Sequence, residues 1–206
     1  MRALHRRRSG SAQGVKALTD IVSEKHVLRK AVRRELRTLD DGFRKIASAA
    51  ACERLISLKE FRSARTVLAY MAMKTECDPR EAVRYALDNG KRVAFPLCAA
   101  DSRLELYIPE DENAFVSGSF GILEPDPKRS TLIEFDELDF IIVPAISFGR
   151  SDRRRLGQGG GYYDRLLSSG HAYRCGFCFS LQLRDAVPCE EHDCSVDCIV
   201  TESELI

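Results

Sequence analysis

The residues whose types and spacing could do chemistry concentrate in one loop, Arg153-Arg-Arg-Leu-Gly-Gln-Gly-Gly-Gly-Tyr-Tyr-Asp-Arg165. Four glycines within positions 157–161 let backbone N–H groups converge on an anion, and a helix starting at Tyr162 would add the positive end of its dipole. Arginines on both flanks favour phosphate as that anion. The loop fits neither common phosphate template. Walker A needs Lys-Ser/Thr after its last glycine, and the dinucleotide fingerprint needs glycine where Tyr162 stands. A mobile glycine turn accounts for the same composition. Asp164 follows closely, and beside bound polyphosphate a carboxylate is repelled unless a hard cation such as Mg²⁺ lies between them. As a first-turn helix residue it would instead complement the helix dipole. Glu190, Glu191, Asp193 and Asp197 offer a second supply of carboxylates, which alone reads as a solvated acidic loop.

A further candidate is the CxxC of Cys175 and Cys178, set in Tyr173-Arg-Cys-Gly-Phe-Cys-Phe179. This text is aromatic and strand-like. Residues three apart on a strand point to opposite faces, so the two thiols are poorly placed to share a metal. No helix start follows to lower a thiol pKa for redox work. With eight cysteines in 206 residues and no apolar signal segment, reduced thiols rather than a disulfide framework are expected.

These residues need a frame, and the pattern predicts an α/β one. Ser23 to Leu39 carries Val27, Leu28, Ala31, Val32, Leu36 and Leu39 at helical spacing, with Lys25, Arg29, Arg33 and other cations assigned to an outer face. A second helix follows Asp40, with Phe43, Ile46, Ala47, Ala50 and Leu55 inward. Val67 to Met73 reads as a strand, Asp78-Pro79-Arg80-Glu81 as a capped helix start, Asn89-Gly90 as its stop, and Arg92 to Leu97 as a second strand. That βαβ unit makes the strands parallel neighbours. Leu104 to Ile108 is a partly exposed strand, Gly118 to Pro127 a loop and Asp139 to Phe148 a central buried strand. The glycine loop thus follows a buried strand, where open α/β sheets bind ligands. A short helix, Tyr162 to Ser168, and strands Tyr173 to Phe179 and Cys198 to Thr201 complete the frame.

The composition sets outer limits. The 206 residues suffice for one core, and 32 Lys+Arg against 31 Asp+Glu leave no long-range field for general nucleic-acid binding. The longest apolar run, Phe140 to Pro144, is too short for a membrane span. Residues 1–22 read as a disordered basic tail before a domain at 23–206. Arg-rich and acid-poor, the tail also has the composition of an organellar transit peptide, but it lacks clear amphipathic spacing. A cytoplasmic monomer or weak homodimer is the expectation.

In order along the chain, Lys25-x-x-Leu-Arg29, Glu76, Lys91-Arg-Val-Ala-Phe-Pro96, Phe120-Gly-Ile-Leu-Glu-Pro125, Asp139-Phe-Ile-Ile-Val-Pro144, Arg155 to Arg165, Gln182, Pro188, His192-Asp193, Val196-Asp197 and Thr201-Glu202 resemble the signature of the 5-formyltetrahydrofolate cyclo-ligase family. The block from Arg155 to Arg165 is the specific part, and the resemblance covers Glu24 to Ile206. It implies a mostly parallel open sheet with flanking helices, of the kind shared with ribose-5-phosphate isomerases and CoA transferases. It also implies an ATP- and Mg²⁺-dependent ring closure, in which a phosphorylated formyl oxygen becomes a leaving group. The resemblance assigns ATP to Lys25, Arg29, Arg155, Gly157, Gln158, Gly159, Gly160, Gly161, Tyr162 and Tyr163, with Arg155 and Tyr163 catalytic. Asp164 and Asp193 would hold Mg²⁺. Met71 and Glu76, with the loop from Gln158 to Tyr162, would line the folate site. Two positions depart from the family pattern: Gly160 stands where many members carry Lys, and without Trp an aromatic such as Phe120 or Tyr107 would stack on the pterin. From other classes, a regulatory nucleotide-binding module, a sugar-phosphate isomerase or acyl transferase, and a zinc-binding interaction protein remain as alternatives.

Overall fold

The computed structural model describes residues 11–99, 103–118, 121–168, 170–190 and 193–206, with side chains described from residue 20 onward. Helices α1 (Ser11–Thr38), α2 (Asp41–Ser57) and α3 (Lys59–Ser63) precede strand β1 (Thr66–Leu68). Helix α4 (Arg80–Asp88) and strand β2 (Arg92–Cys98) follow, then β3 (Leu104–Pro109), β4 (Phe115–Ser117), β5 (Leu123–Pro125), β6 (Ser130–Ile133) and β7 (Phe140–Val143). The remainder is β8 (Ser147–Gly149), β9 (Arg155–Leu156), α5 (Tyr162–Leu167), β10 (Tyr173–Phe177), β11 (Leu183–Arg184) and β12 (Cys198–Val200). Seven strands form one sheet in the order β12-β10-β7-β1-β2-β3-β6, parallel from β12 to β2 and antiparallel at the β3 and β6 edge.

Strand β7 shows why this sheet forms. Phe140 and Ile142 join the core under α1 to α4, while Ile141 and Val143 join the opposite core with Leu167 of α5, so a four-residue apolar run is buried on both faces. The βαβ expectation holds: β1 pairs with β2 in parallel, and Gly90 at φ 72° ends α4. The helix starts one residue later than expected, with Pro79 at the cap and Asp78 accepting a bond from Arg80 N.

Other expectations are corrected. Helix α1 begins at Ser11, twelve residues before the start expected at Ser23, and residues 1–10 of the expected tail lie outside the described residues. In α1 the buried stripe is Lys25, Val32 and Leu36, with Val27 63% exposed. In α2, Ile46 is 73% exposed and the buried residues are Ala47, Ser48, Ala51, Cys52 and Leu55. Val32, Leu36, Ala47 and Leu55 lie inward as expected, whereas Val27, Phe43 and Ile46 face out. The stretch from Asp139 to Phe148 is two strands, because Pro144 has no N–H to continue a ladder, and β8 joins a separate small sheet with β9 and β11. The expected loop 118–127 contains β5, paired with β4. Cys175 and Cys178 do fall on opposite faces, one in each core, and both are buried and free. Among the described residues no helix is long and apolar enough to cross a membrane, and no group of three or more His, Cys, Asp or Glu side chains is placed to hold a metal.

Candidate active site

The sheet changes winding direction between β1 and β7: from β1 the chain builds outward through β2, and from β7 it builds the other way through β10. Crevices open at the carboxyl ends of strands at such a point. A cavity of about 690 Å³ lies there, lined by Tyr70 and Met71 after β1, Pro96 and Cys98 of β2, and Pro144 and Ala145 after β7. The glycine loop and α1 form its other wall.

One half of the cavity is ionic. Arg155 is set on β9, paired with Phe148 of β8, and is 5% exposed. Its guanidinium donates to Asp164 Oδ1 at 2.7 Å and to Pro144 O at 3.3 Å, and it lies 5.5 Å from the centre of the Tyr163 ring. Its Nε is buried and without a hydrogen-bond partner, as is the Tyr163 hydroxyl. Burial, reinforced by the Glu76 carboxylate, pushes the Tyr163 phenol well above its usual range, so the hydroxyl is a proton-bearing donor. From α1, Arg29 Nε donates to Gly157 O at 2.8 Å and Arg33 to Gln158 Oε1 at 2.7 Å. Burial and the neighbouring Arg33 charge hold the Arg29 guanidinium below its ordinary value, a repulsion that a bound anion would relieve.

Lys25 Nζ donates to Glu190 and Asp193, each at 2.6 Å. Burial works to lower its pKa, but the hydrogen bonds and charges of the two carboxylates outweigh it, and the ammonium stays charged. Asp193 also accepts from Glu190 N at 2.7 Å, and Arg154 donates to the carbonyls of both Glu190 and Asp193, pinning this acidic turn beneath α1. The loop backbone departs from ordinary geometry at Gly159, φ 110°, and Gly161, φ 70°. A Cβ on Gly159 would meet Arg29 at 3.7 Å, so the strain of a side chain there would be conformational.

The other half is apolar, formed by Tyr70, Met71, Met73, Leu104, Ile122 and Leu123. Glu76 sits at the junction, accepting from Met73 N at 3.0 Å and from the Gln158 side chain, and its carboxyl is raised by burial against those bonds. Every residue singled out from the sequence for ATP, metal or folate therefore lines this one cavity: Lys25, Arg29, Met71, Glu76, Arg155, Gly157 to Tyr163, Asp164 and Asp193. The stacking aromatic does not emerge. Tyr107 is turned away, with its hydroxyl on Glu105, and Phe120 lies outside the described residues, as does His192. Sequence reasoning passed over Arg33, whose spacing of four from Arg29 was the available signal, and Glu124, treated below.

The two carboxylates assigned to a cation, Asp164 and Asp193, are each held by a basic side chain. Mg²⁺ takes few protein ligands and completes its shell with phosphate and water. A pair of hard oxygen donors on one wall of an anion-receptive cavity fits an ion that arrives on a nucleotide.

Fold and site together define an α/β enzyme with an anion cradle opposite an apolar chamber. The family model for 5-formyltetrahydrofolate cyclo-ligases matches residues 21–202. A 5-formyltetrahydrofolate cyclo-ligase of Saccharomyces cerevisiae is 28% identical over 204 residues, covering 87% of this chain and 95% of the relative. A mitochondrial one of Arabidopsis thaliana is 28% identical over 233 residues, covering 96% and 81%. The solved 5,10-methenyltetrahydrofolate synthetase of Aquifex aeolicus superposes with a TM-score of 0.78 at 31% identity, covering 88% of this chain and 91% of that one. The chain belongs to the 5-formyltetrahydrofolate cyclo-ligase family, and its activity is the conversion of 5-formyltetrahydrofolate to 5,10-methenyltetrahydrofolate. The family is ATP-dependent.

Proposed function

We propose that the ionic half of the cavity binds the phosphates of ATP and the apolar half the pteridine, so that the γ-phosphoryl group passes to the formyl oxygen where the halves meet. The observation that carries this reading is the pair of buried, unpartnered donors at the junction, Arg155 Nε and the Tyr163 hydroxyl. Buried polar groups without partners are costly, and an oxygen developing charge would satisfy both. Lys25, Arg29 and Arg155, with the backbone of Gly157 to Tyr163, neutralise and orient the triphosphate, since phosphoryl transfer asks chiefly for positioning and charge stabilisation. Mg²⁺, when bound with the nucleotide, would supply further neutralisation of the transferring group, with Asp164 and Asp193 as its protein ligands.

The formyl oxygen attacks the γ-phosphorus and ADP departs, giving an imidoyl phosphate. The folate's own N10 then adds to the formyl carbon, its proton is lost, and the C–O bond breaks with release of inorganic phosphate. Arg155 and Tyr163 would hold the formyl oxygen through both steps. Met71 and Glu76, with Gln158 to Tyr162, would fix the folate against the loop, and with no lysine at Gly160 the cation held on that position is Arg165, whose guanidinium donates to Gly160 O at 3.0 Å. With formyl-¹⁸O substrate, the label should appear in the released phosphate. Unlabelled phosphate would overturn the phosphorylation step. Eight cysteines in a chain of 206 residues, five of them buried, support a reducing compartment, and we read the chain as a cytoplasmic monomer or weak homodimer, to be checked by cell fractionation and light scattering.

A further inference from the structure

One carboxylate of the apolar half has no part in the steps above. Glu124, in β5, is 9% exposed and faces the cavity beside Pro96, Cys98, Leu104 and Ile122. Among the described residues its side-chain hydrogen-bond partner is the Cys98 thiol, a weak donor, and no ion pair includes it. A Cβ on Gly118 would collide with the Glu124 carboxyl group, so the chain keeps a glycine there to admit it. Burying a carboxylate without strong donors is expensive, and such groups are normally paired or neutralised. Glu76 differs: a backbone N–H and the Gln158 amide already occupy its oxygens. Glu124 is thus the carboxylate in this half with acceptor capacity to spare.

We propose that Glu124 is the residue that recognises the pteridine, its two oxygens accepting the N3–H and the 2-amino N–H of the 2-amino-4-oxo edge. This rests on the reading that the folate occupies the apolar half. The edge presents two donors side by side, which a carboxylate matches with both oxygens, and ligand donors would replace the solvation that Glu124 lost on folding. That edge lies across the bicyclic ring from N5, so a grip there leaves the formyl group and N10 free to face the glycine loop. Glu124 is on this account a specificity residue: it excludes ring systems lacking the paired donors, because they would leave the carboxylate buried and unpaired.

The test is a cycle between protein and substrate. Wild type and Glu124→Gln are compared on 5-formyltetrahydrofolate and on its analogue with methyl in place of the 2-amino group. Hydrogen bonds to a charged group predict a roughly 10- to 100-fold loss in kcat/KM when either partner is changed, chiefly through the KM for folate. Changing both should cost little more than changing one. The KM for ATP should stay within about twofold, and Glu124→Asp should give a partial loss that also couples to the 2-amino group. Independent, multiplicative losses, coupling to Glu76→Gln instead, or an equal rise in both KM values would overturn the assignment. These results are separable from the site reading: absence of coupling alongside intact transfer of ¹⁸O to phosphate removes Glu124 alone, whereas unlabelled phosphate with coupling retained removes only the phosphorylation step.

Discussion

Arg155 is fixed from three sides, by Asp164, by the Pro144 carbonyl and by the face of Tyr163, while its buried Nε–H has no partner. Asp164 accordingly has two jobs, orienting Arg155 and, on our reading, meeting the nucleotide's metal. Asp164→Ala should lower kcat by about 100-fold or more, comparable to loss of one preorganised transition-state donor, and should weaken ATP binding in parallel. The Mg²⁺ concentration giving half-maximal rate should rise with it; an unchanged Mg²⁺ dependence would confine Asp164 to holding the arginine. Most of these residues were legible from the Arg155 to Arg165 block and its relatives, since glycines and a following Asp keep their meaning without tertiary context. Helix α1 was legible only in part. Its inner stripe runs Lys25, Arg29, Val32, Leu36, and a reading that assigns cations outward places the first two on the wrong side. Glu124 falls within the Phe120 to Pro125 motif but was given no role, because nothing local distinguishes a carboxylate facing a cavity from one facing water.

At the scale of elements, the bend between β7 and β8 decides where the cavity floor lies, and Gln182 holds that bend. Its Nε2 donates to Ala145 O at 2.8 Å and Ile146 O at 3.2 Å, while its Oε1 accepts from Phe179 N at 2.8 Å. The side chain is 2% exposed. Gln182→Ala would leave these backbone groups unsatisfied, at a cost of about 3 kcal/mol. That corresponds to a fall in Tm of roughly 6–12 °C for a chain of this size, measurable by calorimetry. A Tm within 2 °C of wild type, on the order of experimental scatter, would mean that water replaces the amide. Hydrophobic runs announced β2, β7 and β10, and cap residues announced α2 and α4. The split of one apolar run at Pro144 and the pairing of β5 within a Gly/Pro-rich stretch depended on partners distant in sequence, which periodicity does not report.

For the whole molecule, the distribution of thiols follows from the two cores. Cys52, Cys77, Cys175, Cys178 and Cys198 are buried, and only Cys98, Cys189 and Cys194 are partly accessible. Burial raises the Cys98 thiol to about 11, with Glu124 adding to the effect, so even this accessible thiol is a slow nucleophile at neutral pH. A bulky disulfide reagent at pH 7 should therefore titrate at most three thiols in the native protein and eight after denaturation; rapid native reaction of more than three would show that the sheet opens on the timescale of labelling. The class of sheet was legible because one βαβ unit fixes handedness, but the strand order, and hence the crevice between β1 and β7, was not. The Lys25 contacts with Glu190 and Asp193 span 165 and 168 residues, joining helix α1 to the C-terminal stretch of the fold. During synthesis this clasp, like edge strand β12, cannot form while the C-terminal stretch remains within the ribosome, so the nucleotide pocket is among the last parts of the molecule to be finished.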